Sequence, residues 1–83
     1  MVSVASLRRH LARASAYGRT ARGLARFGDC LEARVALMKA GSEVKKAREA
    51  AQRLHHLQPT VALASEALAR VQKRLNRVCK RRR

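Results

Sequence analysis

Eighty-three residues can make one small domain, and a chain this short buries only about 60–65% of the surface that it exposes when unfolded. Twenty Lys and Arg against five Asp and Glu leave a formal charge of +15, self-repulsive unless something acidic lies nearby. With 47% apolar residues the chain is too hydrophobic for a disordered basic tail, and its length excludes a multidomain enzyme.

Four helical segments are read in chain order. The first runs from Ser3 to Ala16, where Val4, Leu7, Leu11 and Ala14 recur at steps of three and four. Tyr17-Gly18 interrupts it, because glycine costs about 1 kcal/mol inside a helix. The second runs from Thr20 or Ala21 to Ala40, with Leu24, Phe27, Leu31, Val35 and Met38 as its apolar stripe. Gly41 reads as a C-terminal stop and Ser42 as the next N-cap, with Glu43 opposing the helix dipole.

The third segment runs from Glu43 to Leu57 along Val44, Ala47, Ala51, Leu54 and Leu57. Gln58-Pro59 ends it, since the residue before proline is pushed away from helical angles. The fourth runs from Thr60 to Lys80, where Val61, Ala64, Leu68, Val71, Leu75 and Val78 repeat like a coiled-coil seam. That seam is expected to pack on another helix, in this chain or in a partner. No strand signal and no internal repeat occurs. The expected fold is all-α: a three-helix basic bundle over 1–58, then a fourth amphipathic helix with a basic tail over 59–83. The expected core holds Leu7, Leu11, Leu24, Phe27, Leu31, Val44 and Leu54.

The charge is concentrated at the two ends. Residues 1–28 carry Arg8, Arg9, Arg13, Arg19, Arg22 and Arg26 and no acid. Residues 67–83 carry Arg70, Lys73, Arg74, Arg77, Lys80, Arg81, Arg82 and Arg83 and no acid. The middle is nearly neutral. Two acid-free basic segments on amphipathic helices point to two contacts with acidic partners or nucleic acid. The Arg-, Ser- and Ala-rich stretch from Met1 to Arg26 also has the character of a transit peptide, read here as an uncleaved import signal. No apolar run reaches the 18–20 or so residues of a membrane span, while contact with a membrane surface stays open.

Catalytic chemistry is not in view. His55 and His56 are adjacent, point about 100° apart on a helix and cannot chelate as an i, i+4 pair; they read as exposed or interface residues. No phosphate loop, paired acids or nucleophile–base pattern appears. The expectation is a non-enzyme without a metal or cofactor of its own. Cys30 and Cys79 lack CxxC pairing and read as packed thiols, with a bridge between them left open.

The first half resembles the LYR-motif family of small mitochondrial proteins. Leu7, Arg9, Leu11 and Arg13 fall where that family has leucine, arginine, leucine and a basic residue, and Arg8 stands in place of its tyrosine. Phe27 sits where the family has an aromatic in helix two, and Cys30-Leu31-Glu32-Ala33-Arg34 looks like that helix's basic-ended stretch. The resemblance covers residues 4–57. It implies a three-helix bundle docking acyl carrier protein, whose acyl-phosphopantetheine can enter between the helices. It further implies an accessory subunit of a respiratory complex, especially complex I, on the matrix side of the inner mitochondrial membrane. The implied partner-binding residues are Leu7, Arg8, Arg9, Arg13, Arg22, Arg26, Phe27 and Arg34. Arg70, Lys73, Arg74, Arg77, Lys80, Arg81, Arg82 and Arg83 are expected to form a second contact, with acidic protein or RNA.

A competing resemblance is to bacterial-type small-subunit ribosomal protein twenty. Ala40-Gly41-Ser42 looks like its interhelical turn, Gln58-Pro59 like a Gln-Pro of some members, and Ala69-Arg70 with Arg74-Leu75 like its last helix. That resemblance implies rRNA binding through phosphate contacts.

Overall fold

The computed structural model describes residues 4–80. Helix α1 spans Val4–Arg26, α2 spans Cys30–Ala51, a single 3-10 turn covers His55–Leu57, and α3 spans Gln58–Lys80. The all-α class holds, but there are three long helices rather than four. The breaks lie elsewhere than expected, and each shift has a local cause.

Helix α1 runs straight through Tyr17-Gly18. Gly18 is buried, and a Cβ on it would lie 3.4 Å from Cδ2 of Leu68 on α3. Gly18 thus sits in ordinary packing contact with α3, and burial of the α1 face around it outweighs the roughly 1 kcal/mol propensity cost. The stop is Gly28, whose φ of 85° is the left-handed conformation that favours glycine. Asp29 N–H donates to Leu24 O at 2.9 Å and Gly28 N–H donates to Ala25 O at 3.1 Å. This pair of bonds is a Schellman ending.

Asp29 then caps α2, its carboxylate accepting from Glu32 N–H at 3.2 Å. Gly41 and Ser42, expected as stop and cap, lie inside α2. Alanines on both sides of them carry one buried face through: Ala33, Ala36, Ala40, Ala47 and Ala51, with Leu37 and Val44. Burial of that continuous face outweighs one glycine. Gln58-Pro59 starts a helix instead of ending one. Proline in a first turn sacrifices no intrahelical bond, and Gln58 Nε2 donates back to Ala51 O at 3.3 Å.

The short connections make α2 antiparallel to its neighbours, so α1 and α3 run parallel. A disulfide between Cys30, at the start of α2, and Cys79, at the end of α3, confirms that these ends meet. The bundle measures 44 × 17 × 13 Å, about 10 Å longer than one 23-residue helix at about 1.5 Å per residue.

Two buried clusters line its axis. One gathers Leu7, Ala14, Val44, Ala47 and Val61; the other gathers Ala21, Ala33, Leu37, Leu75 and Cys79. Leu68 packs against both. Of the expected core, Leu7 and Val44 are buried, and Leu11, Leu24 and Leu54 are half-buried against it. Phe27 and Leu31 are a correction: they are 89% and 73% exposed. Val35 and Met38 of the same stripe also face solvent. Helix α2 carries two apolar faces, and the alanine face is used because small side chains let α1 and α2 approach closely. The α3 seam packs within this chain, with Val61 and Leu75 buried and Leu68, Val71 and Val78 half-buried.

Candidate functional site

The parallel course of α1 and α3 brings basic residues from both ends of the sequence to one groove. Core residues Ala14, Gly18, Ala21 and Ala25 set the inward face of α1. Arg19, Arg22 and Arg26 follow on the flank toward α3, spaced three and four apart. On α3, Val71 faces inward while Arg70 and Arg74 rise beside it.

The result is a row of adjoining pockets. One of about 270 Å³ is floored by Leu11, Ala14, Gly18, Ala64 and Leu68 and edged by Arg19 and Arg22. The next, of about 180 Å³, lies between Arg22, Arg26 and Arg74 over Ala21, Ala25 and Val78. A third joins Arg22 to Arg70 and Arg74. No Asp or Glu lines any of the three. Among the described residues the ion pairs all involve Glu43, so Arg22, Arg26, Arg70 and Arg74 present their charge outward. The floor is apolar, with Ala14, Gly18, Ala21, Ala25 and Ala64 alternating with Leu11, Leu68 and Val78, which suits an apolar guest beneath an anionic head.

The expected partner-binding residues do not share one face. Leu7 is fully buried and can only support the bundle. Arg22 and Arg26 line the groove, and Arg8 is exposed. Arg9 is exposed two residues after buried Leu7, so it points away from the core. Arg13 is exposed and sits close enough to Glu43 on α2 to act on its charge. Arg34 is exposed on α2, and Phe27 in the α1–α2 turn. Of the second set, Arg70 and Arg74 reach the groove, whereas Lys73 and Arg77 face solvent on α3. Lys80 ends α3; Arg81, Arg82 and Arg83 lie outside the described residues.

Sequence reasoning missed Arg19 as a groove residue. Its signal was present: Arg19, Arg22 and Arg26 repeat at helical spacing right after Gly18. It also missed His10, whose Nδ1–H donates to the buried Glu43 carboxylate at 2.5 Å. That bond, helped by the charges of Lys46, His10 and Arg13, holds Glu43 below its ordinary carboxylate value despite burial. His55 and His56 are exposed, and the described residues contain no group of three or more metal-ligating side chains. None of the described helices is long and apolar enough to cross a membrane.

Comparison with protein-family models, curated proteins and solved structures finds no match for this chain. Its function therefore has to be argued from the groove. One quoted likeness changes its meaning: Ala40-Gly41-Ser42, compared above with an interhelical turn, is continuous helix.

Proposed function

We propose that this chain is a non-catalytic accessory subunit that holds an acidic partner along the α1–α3 groove. The LYR resemblance names that partner as acyl carrier protein and the setting as a mitochondrial respiratory complex, complex I foremost. The supporting observation is an acid-free groove, with arginines on both rims and an apolar floor of Ala, Gly, Leu and Val between them. Guanidinium groups are planar forks that pair two-pronged with carboxylates and phosphates, so Arg22 and Arg74 suit an acidic helix or a phosphopantetheine phosphate. Rigid helices hold the rims, which lowers the ordering cost of binding. The charge of +15 steers an acidic partner in, and its carboxylates relieve the chain's self-repulsion.

The matrix setting has a covalent consequence. Disulfides are kept reduced in compartments buffered by glutathione. There Cys30 and Cys79 would be a reduced pair, and partner contacts would replace the stabilisation that the bridge gives.

The RNA reading uses the same arginines, on phosphates. The groove lacks an aromatic for a base to stack on, so duplex phosphates would be its target.

The test is pull-down from mitochondrial extract with wild type and with Arg22→Glu plus Arg74→Glu. Both positions are exposed, so helicity should be unchanged. Loss of acyl carrier protein supports the reading; undiminished recovery overturns it. Arg9→Ala with Arg13→Glu, which lie off the groove, should leave recovery intact. Crosslinked rRNA, with affinity falling steeply as salt rises, would instead establish the RNA reading.

A further inference from the structure

The outward face of α2 carries a feature that the groove does not use. Leu31, Val35 and Met38 stand on the side opposite the buried alanines, 73%, 39% and 74% exposed, and Phe27 is exposed in the turn before α2. Leu31, Val35, Met38 and Ser42 follow at intervals of four, three and four residues, the spacing of a helix–helix seam. The apolar row is one side chain wide. Arg34 and Lys45 border it on one side and Lys39 and Lys46 on the other, all exposed. Glu32 and Glu49 are the acids of α2's exposed surface, toward its two ends.

We propose that this face is a second docking site, for an amphipathic helix with an apolar seam and acidic flanks. The spacing selects a helix as the occupant, because knobs set four and three apart fit the holes between side chains of a second helix. The bordering cations select its charge, since flanking positions of paired helices choose partners by sign. A second copy of this chain is disfavoured by the same rule: it would set Arg34, Lys39, Lys45 and Lys46 against their own kind. A bilayer fits less well, because a ridge one side chain wide buries little apolar area in a flat layer, so attraction of its cations to anionic headgroups acts almost alone. The site is independent of the α1–α3 groove and faces a different direction. One chain could therefore join two acidic proteins.

The probe is a labelled synthetic helix about three heptads long, with leucine at the seam and glutamate at the flanking positions. It should bind wild type saturably. Leu31→Asp with Met38→Asp should weaken binding at least about tenfold, with the circular dichroism spectrum unchanged because both positions are exposed. Measured on the Arg22→Glu, Arg74→Glu background, so that the arginine groove takes no share of the acidic probe, the same loss should follow from Leu31→Asp with Met38→Asp. A lysine-flanked version of the helix should not bind. Equal binding of both helices, or binding untouched by the Leu31 and Met38 changes, would overturn the proposal. So would sedimentation showing a dimer abolished by the same changes, or saturable binding to phosphatidylglycerol vesicles with no binding of the helix. Failure of the groove test leaves this result intact, and the reverse holds too.

Discussion

Removing the bridge between Cys30 and Cys79 tests the packing scheme most directly. The two residues are 49 apart in sequence, and their Cα atoms lie 5.9 Å apart. Closing a loop of that length removes about 14 cal/mol/K of entropy from the unfolded chain, or about 4 kcal/mol at room temperature. A chain of this size is stable by only about 4–12 kcal/mol in total. Cys30→Ala with Cys79→Ala should therefore lower Tm by on the order of 20 °C, since about 1 kcal/mol shifts a small domain by 4–8 °C. The assay is thermal and urea unfolding followed by circular dichroism, with thiol labelling to verify the bridge in wild type. The single variant Cys30→Ala should lose nearly as much as the double, because either change breaks the same bond. If the two sulfurs acted only as packed thiols, the losses would be small and additive. A double variant whose Tm lies within a few degrees of that of the bridged wild type would refute the entropy reasoning.

The remaining predictions concern single positions. Gly41→Ala should stabilise the protein by about 1 kcal/mol, because Gly41 lies exposed within a helix and a Cβ there meets nothing within 4 Å. Gly28→Ala should instead destabilise it by about 1 kcal/mol, since its φ of 85° disfavours a side chain. Urea unfolding of both variants checks this, and a loss for Gly41→Ala would restore a helix end there. Glu43 has a folded pKa below its ordinary 4.5. Its contribution is thus fully present above that ordinary value and is lost as pH falls through the lowered one. Glu43→Gln should cost about 1–3 kcal/mol at neutral pH by weakening the buried bond from His10, and should flatten the stability curve in acid. Stability measured from about pH 7 to 3 should show the wild-type and variant curves converging; parallel curves would count against the ionised Glu43.

Helix content, the absence of a strand signal and the α3 seam were legible in the amino-acid order because they depend on periodicity alone. The same periodicity marked both stripes of α2, Leu31-Val35-Met38 and the alanine row, with no local means to choose between them. The larger side chains looked like core. The bundle buries the alanines, because small side chains let its helices approach closely, and the bulkier row stays exposed. Glycines were ambiguous for a similar reason. Gly18, Gly28 and Gly41 share the same intrinsic freedom, and only the neighbours decide that one admits Leu68, one ends a helix and one is simply tolerated.

The sequence places the basic residues along the chain and says nothing of where they stand in space. Composition by itself determined that the chain is basic and short of internal counter-charge. The order of residues determined that it is helical and that the acids are missing from both ends. Only the tertiary structure decided that those ends meet. With α2 antiparallel to both, the C-terminal halves of α1 and α3 lie side by side, so Arg22 and Arg26 face Arg74 across an apolar floor of Ala21, Ala25 and Val78. Charges far apart along a chain carry no record of their distance in space. That distance is set by which apolar faces are buried, and here burial gathers arginines from both ends along one groove.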